Sequence, residues 1–335
     1  MNINTLPIWQ RTWIALGSMT VAWIIKIGVA AVVLNASFTS AQSQQPPPPP
    51  VATFKSAVEL VRVAAFVRDH KGRFVENLTA KDFEVLDGIE PRPIVDFRRE
   101  SEGVSVAVLF DVSGSMESRL VDAREAGAHV LAWLDPSRDE AAVYTFDTEL
   151  VEVVPFTMGL KTLPASMSKV VAFGATSLHD AIAETAKRSA NRDRRRSAVV
   201  VLTDGEDTAS RLKPSEVSAI ASAIDVPVYI FGIVPAIDNP SEDRSTILPG
   251  QSKLTGALDD LSVWTGGRVF IASTPAQRSL AARQLVEELR HQYFIAFESS
   301  GKPGWHPLVV RARDKDLTVR ARNGYIAGQS RPHSF

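Results

Sequence analysis

Three oxygen-bearing side chains follow one hydrophobic run at the spacing Asp-x-Ser-x-Ser. Residues 106–110 (VAVLF) lead directly into Asp111, and Ser113 and Ser115 come next. We expect the run to be a buried β-strand, so that the three side chains project from a loop at its carboxyl end. Open parallel α/β sheets bind their ligands at that edge. Because hard oxygen ligands suit Mg²⁺, the spacing predicts a cation site.

Two more oxygen-bearing residues stand in matching positions along the chain. Thr176 lies in Gly174-Ala175-Thr176, a loop that opens a predicted helix, and Asp204 ends the predicted strand 199–203. Two carboxylates and three hydroxyls suit Mg²⁺ or Mn²⁺, with waters completing an octahedron. Hydroxyls are weak, neutral ligands, so the cation would stay electrophilic and accept one carboxylate from a partner protein.

The predicted metal ligands share one property, which is an oxygen donor in a loop next to a strand or a helix: Asp111, Ser113, Ser115, Thr176 and Asp204. An alternative stays open for each residue type. The hydroxyls could instead cap helix N-termini, and Asp204 could be a turn aspartate before a glycine. The sequence indicates no catalytic residue.

Composition excludes several classes of protein. A chain of 335 residues suggests about two domains, and 45% hydrophobic residues support a substantial core. A formal net charge of -1 argues against a nucleic-acid-binding protein, which would carry a basic excess. The absence of cysteine excludes disulfides, zinc–thiolate sites and cysteine nucleophiles.

The N-terminal segment predicts export. Residues 12–34 are mostly apolar and follow Arg11, Lys26 interrupts them, and the small residues 39–41 form a plausible cleavage site. Residues 1–41 are therefore expected to be a signal peptide or an uncleaved membrane anchor, with a buried helix as a third possibility. Either export route places the protein outside the cytoplasm, as a secreted, periplasmic or membrane-anchored protein. The Pro-rich residues 42–55 are expected to be a linker, either a stalk or an unstructured leader.

The remaining chain alternates between β-rich and mixed segments. Residues 56–99 and 291–328 are expected to form short strands, whereas 102–290 alternate strands with helices, typical of a doubly wound, mostly parallel α/β sheet. Predicted strands cover 104–111, 140–146, 149–154, 197–203, 226–233 and 267–272; predicted helices lie near 117–134, 178–189, 214–224, 255–264 and 276–290. The short link 146–148 predicts an antiparallel hairpin at the sheet edge. We expect the two β segments to pack together as a small β-sandwich that holds the α/β domain as an insertion.

Three sequence boxes together resemble the von Willebrand factor type A domain and its metal-ion-dependent adhesion site. They are D-x-S-G-S-M at 111–116, G-x-T at 174–176 and T-D-G at 203–205, and their order and spacing match over residues 102–290. The resemblance implies a Rossmann-like fold. It also implies direct coordination by Ser113, Ser115 and Thr176, with Asp111 and Asp204 acting largely through waters.

The flanking segments are similar to a bacterial von Willebrand A-related family named for Acidobacteria. The similarity rests on residues 72–75, 78–83 and 87–88 and on the closing motif 319–325, and it extends to residues 55–328. The chain departs from that closing motif at Asn323, where the family more often has lysine.

Several other polar or aromatic features are expected to lie at the surface, outside the site. They are the acidic loop residues Glu206 and Asp207, His179 on a helix surface, the basic helix end formed by Arg188 and residues 192–196, and the loop residues Trp305 and His306. The basic run could alternatively dock a partner.

The sequence favours a cation-dependent protein-binding or adhesion module outside the cytoplasm. Alternatives are a membrane-tethered subunit of a larger assembly, such as a complex with an AAA+ ATPase, and an inert domain with a vestigial metal site. A hydrolase with Ser113 as nucleophile is a further alternative, but such a serine needs a positioned histidine base and no motif marks one.

Overall fold

The computed structural model describes residues 59–99, 103–189, 195–223, 226–234 and 256–328. The predicted signal peptide or anchor and the predicted linker lie outside the described residues. Within the described ranges, no helix is both long and apolar enough to span a membrane.

The described residues form fourteen β-strands and five α-helices. The strands are β1 (Leu60–Arg68), β2 (Phe83–Asp87), β3 (Glu90–Arg92), β4 (Ile94–Arg98), β5 (Val104–Asp111), β6 (Glu140–Phe146), β7 (Leu150–Met158), β8 (Arg196–Thr203), β9 (Val228–Ile233), β10 (Val269–Ala272), β11 (Gln292–Glu298), β12 (Gly304–Ala312), β13 (Thr318–Ala321) and β14 (Gly324–Ala327). The helices are α1 (Leu120–Trp133), α2 (Leu178–Ser189), α3 (Pro214–Ala223), α4 (Gly256–Thr265) and α5 (Pro275–Arg290).

The central sheet has six strands in the order β10-β9-β8-β5-β6-β7. Every pair is parallel except β6 and β7, which form the predicted antiparallel hairpin at the edge. Strand β5 is buried along its whole length, as expected where helices cover both faces of a parallel sheet.

The two faces of β5 line different hydrophobic clusters. Val108 and Phe110 pack in a cluster with α1 and α5, and Ala107 and Leu109 pack in one with α2, α3 and α4. Side chains of a strand alternate between the two faces, so this division places helices on both sides of the sheet. The predicted doubly wound α/β fold is confirmed.

The predicted elements differ from the observed ones mainly at their ends. Strand β6 and helix α2 have the predicted bounds, but β7 continues to Met158 instead of ending at residue 154. This edge strand alternates between exposed and half-buried residues, so no hydrophobic run marks its end. Helix α1 begins at Leu120 rather than near 117, because a 3-10 turn over Gly114–Met116 precedes it.

The flanking strands form two further antiparallel sheets, each of which combines both β segments. One has the order β13-β1-β11-β4 and the other β14-β12-β2-β3. The register pairs Val63 with Ile295 in the first sheet and Val85 with Val310 in the second. Residues of both sheets share one hydrophobic cluster, which is the core that a β-sandwich requires.

Trp305 and His306 lie in strand β12, so the prediction that they belong to a loop was wrong. Trp305 pairs with Ile326 and His306 with Tyr325. The turn signal of the sequence, from Ser299 to Gly304, ends one residue earlier than expected, and the strand starts at Gly304.

Candidate metal centre

Asp111 holds together the ends of the two central strands. Its carboxylate is fully buried; Oδ1 accepts the backbone N–H of Ser113 at 3.0 Å and Oδ2 accepts the hydroxyl of Thr203 at 2.6 Å. Burial raises the pKa of Asp111 and the nearby charge of Asp204 adds to the rise, while the hydrogen bonds from Ser113 and Thr203 oppose it. Asp111 therefore fixes the loop after β5 against the end of β8.

Ser113 and Ser115 present their hydroxyls side by side. The 3-10 turn over Gly114–Met116 brings the two Oγ atoms to 3.1 Å. Ligands at about 2.1 Å in neighbouring positions of an octahedron lie about 3.0 Å apart. The serine pair thus has the separation that two ligands of one Mg²⁺ would have.

Neither serine caps a helix. Ser113 precedes the 3-10 turn without a side-chain capping bond, and the N-cap position of α1 belongs to Arg119. The alternative interpretation of these hydroxyls as caps is therefore wrong.

Thr176 lies in a loop that is tied to the serine loop by backbone hydrogen bonds. The N–H of Gly114 donates to the carbonyl of Gly174 at 3.0 Å, and that of Phe173 to the carbonyl of Val112 at 2.8 Å. Gly174 has φ +83°, in the left-handed region that glycine occupies without strain. These contacts join the loop of the buried Thr176 to the serine loop.

Other side chains cap the helix that follows Thr176. The N–H of Leu178 donates to Asp207 Oδ1 at 3.0 Å, and those of His179 and Asp180 donate to Ser210 Oγ at 2.9 and 3.2 Å. With the cap of α2 supplied from the 203–212 loop, the capping interpretation of Thr176 is also wrong.

The loop after β8 brings Asp204 to the same edge. Its side chain is 4% exposed, and Oδ2 accepts a hydrogen bond from Arg119 Nη1 at 2.5 Å. Thr176 belongs to this arrangement too, because its carbonyl accepts the N–H groups of Thr208 and Ala209 at 2.9 Å. All five predicted residues thus lie on three loops joined by hydrogen bonds. Sequence reasoning missed Arg119, which no motif marks.

His179 and Asp207 are not the surface residues that the sequence suggested. His179 is buried, and its Nδ1 lies 2.7 Å from Asp207 Oδ2. The 203–212 loop folds back over the start of α2, which covers the histidine and gives Asp207 its capping role. Glu206, by contrast, is exposed.

The side chains of the described residues limit which kinds of ligand a cation site could use. They contain no group of three or more His, Cys, Asp and Glu side chains able to hold a metal, so a site here needs hydroxyl ligands. The Ser113 hydroxyl lies 3.1 Å from that of Ser115 and also contacts the Asp111 carboxylate.

A family profile and three solved structures resemble this chain. A profile of the von Willebrand factor type A domain matches residues 106–206, which include all five predicted ligands. A comparison with curated proteins found no match.

Among solved structures, the chain resembles BatB from Bacteroides thetaiotaomicron at 19% identity, covering 56% of this chain and 98% of that one, with a TM-score of 0.42. A von Willebrand factor type A protein from Catenulispora acidiphila is 14% identical, with 82% and 75% of the chains covered and a TM-score of 0.42. A third structure is proximal thread matrix protein 1 from the mussel byssus, which is described with a zinc-occupied MIDAS motif. It is 17% identical, the match covers 61% of this chain and 49% of that one, and the TM-score is 0.42. Residues 106–206 thus match the von Willebrand factor type A domain, and the doubly wound sheet that contains them agrees with that match.

Proposed function

We propose that the protein is a divalent-cation-dependent protein-binding module that acts outside the cytoplasm. The observation that carries this proposal is the pair of Ser113 and Ser115 hydroxyls, 3.1 Å apart beside the buried Asp111. Export is supported by the apolar segment 12–34 in the sequence.

Each of the five residues has a distinct proposed part. Ser113, Ser115 and Thr176 would hold Mg²⁺ or Mn²⁺ directly through their hydroxyls. Asp111 would anchor the serine loop, because both of its carboxylate oxygens already accept hydrogen bonds, and Asp204 would add a nearby negative charge. When bound, the cation supplies an electrophilic centre that takes up an oxygen ligand from a partner.

The partner ligand is proposed to be an Asp or Glu side chain. Three neutral hydroxyls leave most of the cation's charge uncompensated, which favours an anionic oxygen as the ligand that completes the coordination. This mode of binding needs no catalytic group.

Apolar side chains beside the site favour an apolar neighbour of that acidic residue. Phe173 is 78% exposed and Val171 is 76% exposed, and the hydrogen bond from the Phe173 N–H to Val112 holds this segment at the serine loop. Large exposed aromatic residues at such a position are typical of binding surfaces. The partner motif would therefore combine a carboxylate with an adjacent apolar side chain.

A peptide-display selection tests the proposal even though the partner is unidentified. The full-length protein is immobilised in Mg²⁺, random peptides are captured, and bound peptides are eluted with EDTA. We expect the eluted peptides to share an Asp or Glu next to an apolar residue, and to lose binding when the acid is changed to its amide.

The control selection uses the Ser113→Ala/Ser115→Ala variant, which should yield no set of EDTA-eluted peptides with a shared acidic residue. Peptides without a shared acidic residue, or peptides held equally well in EDTA, would overturn the proposal.

A further inference from the structure

A basic cavity lies at the edge of the six-stranded sheet opposite the metal centre. It has a volume of about 350 Å³, and its charged lining consists of Arg99, Arg138, Arg196, Arg290, Asp135 and Asp139. Strands β5, β6 and β8 begin here, at Val104, Glu140 and Arg196, whereas the metal-site residues follow the other ends of β5 and β8.

Arg196 places a buried positive charge in this cavity. Only 4% of the residue is exposed, and its guanidinium donates to the main-chain carbonyls of Arg99, Leu289, Arg290 and Gln292. None of these acceptors carries a charge, and its Nε has no acceptor among the described residues. The expectation of a solvated basic helix end was wrong for this residue, because β8 starts at Arg196 and the end of α5 covers it.

The positive charge persists at neutral pH. Burial, together with the charges of Arg138 and Arg99, lowers the pKa of Arg196 to about 10. The guanidinium is thus protonated under ordinary conditions despite the other arginines around it.

The two acids of the lining are engaged by the backbone. Asp139 accepts the N–H groups of Val104 at 3.0 Å and Asp135 at 2.7 Å, and also contacts Arg290 at 3.2 Å. The carboxylate of Asp135 accepts the N–H and hydroxyl of Ser137 at 2.9 and 2.7 Å. Both carboxylates are therefore fixed in place as structural groups.

The charged lining carries an excess of two positive charges, from four arginines and two aspartates. Just outside it, Glu76 pairs with Arg99 at 2.9 Å, and Arg195 donates to the carbonyl of Arg138. These two additional charges cancel, and the buried Glu140 at the start of β6 adds one negative charge, so the excess is one positive charge within the described residues.

We propose that this cavity binds a small phosphate-bearing ligand. Guanidinium groups match phosphate oxygens in paired hydrogen bonds, and the positive excess of the cavity favours an anionic ligand. The volume lies at the lower end of the range of small-molecule sites, so a compact ligand such as a diphosphate fits better than a large one.

The position of the cavity gives such a ligand a structural consequence. Arg99 and Gly103 flank the connection from β4 to β5, and Arg290 ends α5 just before β11. Both connections lead between the six-stranded sheet and the smaller sheets, so a bound ligand would contact the two segments at once and stiffen that junction.

Pyrophosphate is the probe for the experiment, which is isothermal titration calorimetry on the full-length protein in EDTA. The chelator prevents a metal at Asp111 from recruiting the anion. We expect saturable binding to one site, a loss of about tenfold in affinity in Arg138→Gln, and unchanged affinity in a control variant at an arginine outside the cavity.

Arg311→Gln is the matched control, because Arg311 is an exposed arginine of β12 that pairs with Glu84. Arg138 is chosen over Arg196 because it is exposed and its loss leaves the buried carbonyl contacts intact. The absence of saturable heat with millimolar pyrophosphate, or an equal loss of affinity in Arg311→Gln, would overturn the proposal.

A second arm identifies the source of the phosphate. If the protein sediments with phosphatidylglycerol vesicles and pyrophosphate releases it, the phosphate belongs to a lipid headgroup. If the protein binds pyrophosphate but not the vesicles, the ligand is a free phosphate compound. Either result supports a phosphate site only if Arg138→Gln weakens it.

Discussion

Arg119 Nη1 lies 2.5 Å from Asp204 Oδ2, so a guanidinium already neutralises one of the two carboxylates of the candidate metal centre. Arg119 stands at the N-cap of α1 and Asp204 follows β8. The Asp204 side chain is nearly buried and that of Arg119 is 28% exposed, which limits how far solvent screens the pair. A divalent cation bound here would be repelled by the positive charge of Arg119.

Removal of that charge should therefore strengthen metal binding. In Arg119→Gln we expect the Mg²⁺ affinity to rise by about threefold to tenfold, because a partly exposed ion pair contributes on the order of 1 kcal/mol. Calorimetric titration measures the affinity, and added salt should reduce the difference. Arg283→Gln, which removes an exposed arginine paired with Glu287, should leave the affinity unchanged. A weaker affinity in Arg119→Gln would show that Arg119 orients Asp204 instead of competing with the cation.

The hydrogen bond from Thr203 to Asp111 should support both stability and metal binding. Thr203→Val leaves a buried carboxylate oxygen without its donor at 2.6 Å, which costs about 1–3 kcal/mol. Urea unfolding should show this loss, and the Mg²⁺ affinity should fall with it. Thr157→Val, on the exposed edge strand β7, is the control. A Thr203→Val protein as stable as this control would contradict the anchoring role of Asp111.

The stability of the smaller sheets should depend on pH through Asp87. Burial opposes its ionisation, but hydrogen bonds from His306 and Tyr325, both at 2.9 Å, hold the pKa of Asp87 below its ordinary value. A carboxylate whose pKa is lower in the folded state than in the unfolded state stabilises the folded protein at pH values above its unfolded-state pKa. This contribution is lost as the pH falls through the pKa of the folded state.

We accordingly expect the free energy of unfolding of wild type to exceed that of Asp87→Asn by about 1–3 kcal/mol at pH values above about 5. This difference should shrink below about pH 4. Unfolding free energies measured across this pH range check the prediction, with Asp314→Asn in an exposed turn as control. A difference that stays constant down to low pH would mean that ionised Asp87 contributes nothing.

Phe173 should matter for binding and not for folding. Its side chain is 78% exposed, so Phe173→Ser should change the unfolding free energy by less than about 0.5 kcal/mol. The affinity for a selected acidic peptide should drop about tenfold, as for an aromatic contact at an interface. Ile89→Ser provides the comparison, since Ile89 is 94% exposed next to β3. Equal effects of the two variants on peptide affinity would place the binding surface elsewhere.

The sequence predicted those parts of the fold that leave a local signal. The continuous hydrophobic run of β5 identifies a buried parallel strand, and the residue after such a strand has a fixed place at the sheet edge. For this reason the sequence pattern alone suffices to place Asp111 and Asp204 together.

Contacts between distant segments left no such signal. Arg119 and Asp204 are 85 residues apart, and the acceptors of Arg196 lie at the end of α5 and after β4. A charged residue in a basic run looks solvated until the chain places carbonyl groups around it. His179 and Asp207 were misjudged in the same way, because only the path of the 203–212 loop buries the histidine.

The most direct test of the metal centre is a titration of Mg²⁺ and Mn²⁺ into chelator-treated protein, followed by thermal unfolding of wild type and Ser113→Ala/Ser115→Ala. Binding to the folded state alone should stabilise wild type by about 2.7 kcal/mol at a cation concentration 100 times Kd. Ser300→Ala, in the turn between β11 and β12, should behave like wild type, and the double variant should gain no stability. An unchanged unfolding midpoint of wild type at saturating cation, or an equal rise in the double variant, would contradict a metal centre at the serine pair.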